Sequence, residues 1–296
     1  MKRMDIDTAI SDVIEAIPAP LLLIIAISLL SAGSGFTKFV LNAGNILDFA
    51  FVRLALGAVV LWAIARPNIL NMSRRQWRDT ALLGVVIALF KVADLYALVA
   101  MPLGLMVTIG FLGPLAVSIY GASRPVEYVW PFLGFAGVVM LAPLGQSSSL
   151  SWQAIGFGLL SALAWGSYIV ISARVGRSMR GLEGFAVANV IAAVLLLPLG
   201  LSGVSQFFAT TGTALVVAAV TLLAILPLGL EFLALKRLSP HVFGVLLSLE
   251  PAIASMLGLA ILGEQLALLD WVAVATVSAA SLGATLFSRR AAVQEA

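Results

Sequence analysis

The chain has 296 residues, of which 61% are hydrophobic and 10% charged, and its net charge is +3. Soluble domains carry about a quarter charged residues, so an ordinary soluble fold is excluded. The absence of cysteine and the single histidine exclude a disulfide scaffold and a histidine-rich metal site.

Residues 1–19 precede the first long apolar run. Ile6, Ile10, Val13, Ile14 and Ile17 share one helical face opposite Asp5, Asp12 and Glu15. That pattern fits a short amphipathic helix on the membrane surface as well as it fits a frayed cytoplasmic tail. The first run is too long for a secretory signal and has no cleavage pattern behind it.

Apolar runs of about 20 residues, long enough to cross the hydrocarbon core, then recur to the end of the chain. They predict an all-α polytopic membrane protein with ten transmembrane helices. The spans are 20–41, 47–65, 80–99, 103–121, 128–143, 153–173, 183–200, 213–235, 240–262 and 269–288. Gly, Pro, Asn and Ser mark the turns at 42–45, 143–151 and 198–205.

Charge orients these spans. Fourteen of the 17 Lys and Arg lie outside them, and all fourteen fall on one side if the chain crosses ten times. The opposite loops, 42–46, 100–102, 144–152, 201–212 and 263–268, carry none. Cytoplasmic loops carry the Lys/Arg excess, so both termini are expected in the cytoplasm.

An odd number of helices per half would give the two halves opposite orientation. Shifting the chain by 137 residues lays 97–118 over 234–255, with Ala97, Leu98, Leu112, Pro114 and Ser118 matched by identical residues. Pro114 falls on Pro251, and Asp94 on Glu231. Inverted repeats with broken helices at matching places are a signature of secondary transporters.

Polar groups inside the spans are the candidate site. A charge at the bilayer centre costs about 2.5–3.5 kcal/mol, so it normally faces a cavity or a partner. Lys91 and Asp94 share a face of the third span at i,i+3. Two readings are open: a clamp for the carboxylate and amine of a zwitterion, or an internal pair. Glu250 lies at the midplane, with no basic neighbour one turn away on its own helix. It could carry a proton, bind a substrate amine or accept a hydrogen bond from another helix; a desolvated carboxylate is a credible proton carrier.

Pro251 and Pro114 are expected to kink their spans and free the Leu247 and Gly110 carbonyls, beside Phe111. Trp165 lies too deep for the interfacial aromatic belt. With Tyr168 it is either a cavity wall or helix packing. Lys38 and Arg53 are expected as anchors or outer-gate partners of Asp48. Glu264 is expected to cap or pair at the outer face, and Glu231 lies near the cytoplasmic end. His241 is read as an interfacial structural residue or a gate. Gly33, Gly35, Gly57, Gly134, Gly137, Gly156 and Gly158 suit close helix packing.

Several stretches carry a resemblance. They are "RLALG" (53–57), "GPLAVS" (113–118), "SRPVEYVW" (123–130), "PLGQ" (143–146), "AWGSYI" (164–169), "LPLGLEFLALKRLSPHVFGVLLSLEPA" (226–252) and "LGE" (262–264). With these the chain resembles the EamA family of the drug/metabolite transporter superfamily, most of all its bacterial inner-membrane threonine/homoserine exporters and related aromatic amino-acid exporters. The resemblance implies two inverted five-helix repeats, 20–146 and 147–290, a tail at 291–296, and a central cavity through which small metabolites leave the cell. It departs from the threonine exporters in the third span, where "FKVADLYAL" (90–98) carries two charges.

These readings converge on a secondary transporter in the bacterial inner membrane that exports amino acids by alternating access. An exporter of drugs or other metabolites with the same fold is the alternative, and a membrane enzyme is less favoured. The expected partners are the lipid bilayer and small zwitterionic metabolites, with no nucleic acid. No P-loop is present, so ATP is not expected to drive it. No cofactor or metal is expected beyond proton coupling.

Overall fold

A computed structural model describes residues 17–41, 45–119, 125–140, 150–179, 182–237 and 246–294. The amphipathic pattern of residues 6–14 and His241 lie outside these residues. Glu231 is placed as helix backbone only, with its side chain outside the description.

The described chain is helical. In order run α1 (Ala19–Val40), α2 (Ile46–Ala65), α3 (Arg74–Ala100), α4 (Leu103–Gly110), α5 (Leu112–Ile119), α6 (Val129–Val139), α7 (Trp152–Ser178), α8 (Glu183–Gly200), the short α9 (Val204–Phe207), α10 (Thr211–Arg237), α11 (Glu250–Leu262) and α12 (Leu268–Gln294). Helix satisfies every backbone N–H and C=O within the segment, which lipid requires. Six helices, α1, α2, α3, α7, α8 and the Leu268–Leu286 part of α12, are long and apolar enough to cross a membrane. Four shorter apolar stretches, Leu103–Val117, Val129–Val139, Thr211–Ile225 and Glu250–Leu262, fall at the remaining expected positions. Large side chains such as Phe39, Phe132 and Leu163 stay exposed on helix surfaces; lipid is the solvent that suits them.

Packing runs between the halves of the chain. α3 lies against α7 and α8, α2 against α8, α1 against α10 and α11, α4 against α11, and α6 against α12. Several helix crossings among the described residues are close enough to require glycine, as at Gly84, Gly104, Gly113 and Gly200. A Cβ on Gly104 would overlap the side chain and backbone of Ser255, and one on Gly113 would overlap the Ala162 carbonyl. Of the glycines expected at helix contacts, Gly158 fits that role, since an added Cβ would lie 2.9 Å from the Ile109 side chain, but a Cβ on Gly156 would meet nothing within 4 Å.

Both spans are interrupted just upstream of their prolines, as expected, while the helical path continues through the break: the Phe111 N–H donates to the Val107 carbonyl at 3.0 Å and the Ile253 N–H to the Leu249 carbonyl at 2.9 Å. The fourth span is interrupted at Phe111, and Pro114 is the third residue of α5. Ser248 and Leu249 form a turn, and α11 begins at Glu250 with Pro251 in its first two positions. A proline lacks the N–H that would bond back to the fourth preceding carbonyl, so the ladder opens there. On the 137-residue shift Phe111 falls on Ser248, so both interruptions occupy the same place in the two halves.

Candidate functional site

Two groups of intramembrane charge emerge, and local structure explains the position of each. The first is at the end of the bundle bearing the turns after α3 and α11. Gly263 ends α11 at φ 64, a left-handed conformation that glycine adopts without steric cost. The Glu264 N–H then donates back to the Gly258 carbonyl at 3.2 Å, the reversal typical of a glycine-terminated helix. This folds the Glu264 side chain over the helix end, where its Oε2 accepts from the Leu103 N–H at 2.8 Å. Leu103 is the first residue of α4, so its N–H lacks an intrahelical partner, and a carboxylate suits the positive end of that helix.

Lys38 completes the arrangement. Its Nζ donates to Glu264 Oε1 at 2.5 Å and to the Met101 carbonyl at 2.8 Å. One carboxylate and one ammonium thus tie α1, the α3–α4 turn and the α11–α12 turn together; we call this the clasp. It corrects the expected pairing of Lys38 with Asp48. Asp48 instead accepts from the Gly203 N–H at 3.1 Å and from Gln206 Nε2 at 3.4 Å.

The second group lies deeper. Lys91 Nζ stands 3.6 Å from Asp94 Oδ2 on α3, both side chains mostly buried. Arg53 on α2 is buried, 6% exposed, and lies within electrostatic reach of both. Counting from the clasp end, Arg53 is about 10 Å along α2 and Asp94 about 9 Å along α3, so they meet at one depth. Among the described residues the Arg53 guanidinium has no hydrogen bond and no direct ion pair. Among the described residues the group therefore holds two positive charges and one negative charge. The expected Lys91–Asp94 pair is present, but it is joined by Arg53, for which the sequence suggests an anchor or an outer-gate partner of Asp48. Matching the depths of α2 and α3 from their shared end would have found it.

Aromatic rings flank this group. Phe90, next to Lys91, stacks on Trp165 at 6.2 Å between centroids, and Phe111 meets Trp165 edge-on at 5.4 Å. Tyr168 contacts Phe185 edge-on at 6.2 Å. Trp165 is half-buried between α3 and the interruption at Phe111, while Phe111 itself is fully buried and packs as core.

Glu250 is buried, 5% exposed, and is not without a partner. As the first residue of α11 it sits at that helix's positive end. About 18 Å of helix separates it from the clasp end. The structure brings together Arg53, Lys91 and Asp94, and separately Lys38 and Glu264.

The fold and its residues agree with known proteins. The description of the EamA-like transporter family matches residues 152–286. The threonine/homoserine exporter RhtA of Salmonella typhimurium SL1344 is 32% identical over 274 residues, covering 91% of this chain and 92% of that protein. The exporter of the same name from Escherichia coli K12 is 31% identical over 271 residues, with the same coverage. A solved protein structure superposes with a TM-score of 0.61 at 20% identity, over 92% of this chain and 98% of that one, which shows a shared fold. On the extent of these matches, the chain belongs to the EamA-like transporter family.

Proposed function

We propose that this protein exports small zwitterionic amino acids across a bacterial inner membrane by alternating access. The observation that carries this reading is the excess of positive charge at Arg53 and Lys91 among the described residues. A lone charge at that depth is costly, and a substrate carboxylate is the counterion that would complete it. Arg53 binds that carboxylate in a forked geometry, Lys91 adds charge, and Asp94 faces the substrate amine. Trp165 and Phe90 border the apolar part of the substrate.

Relatives named as threonine/homoserine exporters support amino acids as the substrate class. The rings around Trp165 favour aromatic and other neutral amino acids as a second group of substrates. The four shorter apolar stretches complete ten crossings, with the clasp end outward and both termini in the cytoplasm. The helix partners support two inverted halves. α1 with α10 mirrors α7 with α3, while α2 with α8, α4 with α11 and α6 with α12 each pair a helix with its own counterpart. The intact clasp then corresponds to closure on the outer side, and Glu250 is the group for proton coupling.

The test is transport in proteoliposomes with threonine, homoserine and phenylalanine, with and without a pH gradient. Saturable flux of at least one, reduced in Arg53→Gln, is expected. Absence of amino-acid flux from folded, correctly inserted protein would sink the reading.

A further inference from the structure

At the opposite end of the bundle from the clasp, the first turn of α3 and the last turn of α7 border an open cavity of about 500 Å³ that no part of the transport reading uses. Local structure fixes its walls. Ser73 and Gln76 form a reciprocal cap: the Gln76 N–H donates to Ser73 Oγ at 3.2 Å, and the Ser73 N–H donates to Gln76 Oε1 at 2.8 Å. Gln76 Nε2 then donates to the Ser178 carbonyl at 2.6 Å. This staples α3 to α7 and satisfies one of the carbonyls that α7 leaves open at its negative end.

Three arginines, Arg75, Arg174 and Arg177, line the space with a single carboxylate, Asp79. Asp79 is already engaged by Arg78, which does not line the cavity, through Nη2 at 2.9 Å and Nε at 3.1 Å. Arg75 stands farther from it, at 3.9 Å. Among the described residues Arg174 and Arg177 have no carboxylate partner. The cavity thus concentrates guanidinium groups from two helices, and guanidinium binds phosphate oxygens in pairs.

Its level in the bilayer narrows the ligand. Exposed Leu70 and Trp77 flank the start of α3, as apolar and aromatic side chains do at a membrane interface. Basic pockets between transmembrane helices at that level hold anionic headgroups. We propose that this cavity is a binding site for a phosphate group, carried by the headgroup of an anionic phospholipid, which bridges α3 and α7.

The test uses the full chain purified in neutral detergent, with bound lipid counted by native mass spectrometry and thermal stability followed in parallel. The probes are phosphatidylglycerol, phosphatidylcholine and inorganic phosphate. Phosphatidylglycerol should be retained at least about tenfold more tightly than phosphatidylcholine and should raise the melting temperature. Arg174→Gln/Arg177→Gln, both exposed positions, should abolish that preference. Arg66→Gln/Arg74→Gln removes the same charge from exposed residues outside the cavity and should leave it intact. Stabilisation by inorganic phosphate alone, lost in Arg174→Gln/Arg177→Gln, also supports the site and makes free phosphate its source. Equal phosphatidylglycerol retention by wild type and Arg174→Gln/Arg177→Gln overturns the proposal, as does an equal loss in the two double variants. Neither result depends on transport.

Discussion

The clasp and the deeper charge group hold the same kinds of side chain but differ in balance. At the clasp, one ammonium meets one carboxylate, and the remaining valences go to the Leu103 N–H and the Met101 carbonyl. At the deeper site, Arg53 and Lys91 share one carboxylate, and Arg53 has no direct partner among the described residues. A satisfied pair holds segments together, whereas an unsatisfied charge in an apolar setting waits for a ligand. The location of unsatisfied charge is thus more informative than the location of charge.

The largest effect should come from the unbalanced site. Arg53→Gln should lower amino-acid efflux by about thirtyfold, the weight of a charge-assisted hydrogen bond, with membrane insertion unchanged. Wild-type efflux in that variant would place the substrate elsewhere.

Breaking the balanced site should change access instead. The chain has no cysteine, so one introduced thiol reports cleanly. Gly35, one turn below Lys38, has ordinary contacts at 3.8 Å and beyond, so Gly35→Cys fits. Adding Glu264→Gln should raise its labelling by a membrane-impermeant maleimide about tenfold. Unchanged labelling would make the clasp a static brace and remove the gate from the comparison.

Packing around the clasp is tested next. Gly104→Ala should cost about 1–3 kcal/mol, because its Cβ meets Ser255. This is read as a lower melting temperature in detergent. Gly156→Ala, with open space around it, should be the mildest change, stabilising by less than about 1 kcal/mol through helix propensity. A larger loss there would mean that Gly156 meets a neighbour in another conformation.

Much of the architecture was legible. Span positions follow from apolar runs, because the hydrocarbon core demands helices of a set length, and α1, α2 and α8 start and end within one residue of expectation. The prolines were legible as interruptions, because a missing N–H opens the helical ladder wherever the chain continues through it. Asp48 does not meet Lys38, because the turn geometry around Gly203, far away in sequence, claims its carboxylate.

Composition and helical period were enough to specify a helical membrane protein, its apolar spans, the asymmetric distribution of Lys and Arg, and the i,i+3 pairing of Lys91 with Asp94. Each is a local property of composition or helical period. It took the packed helices to bring Arg53 to that pair, Lys38 to Glu264, and Gly104 rather than Gly156 to a tight crossing. These contacts link segments far apart in the chain, and their geometry is set by how the helices of the two halves pack.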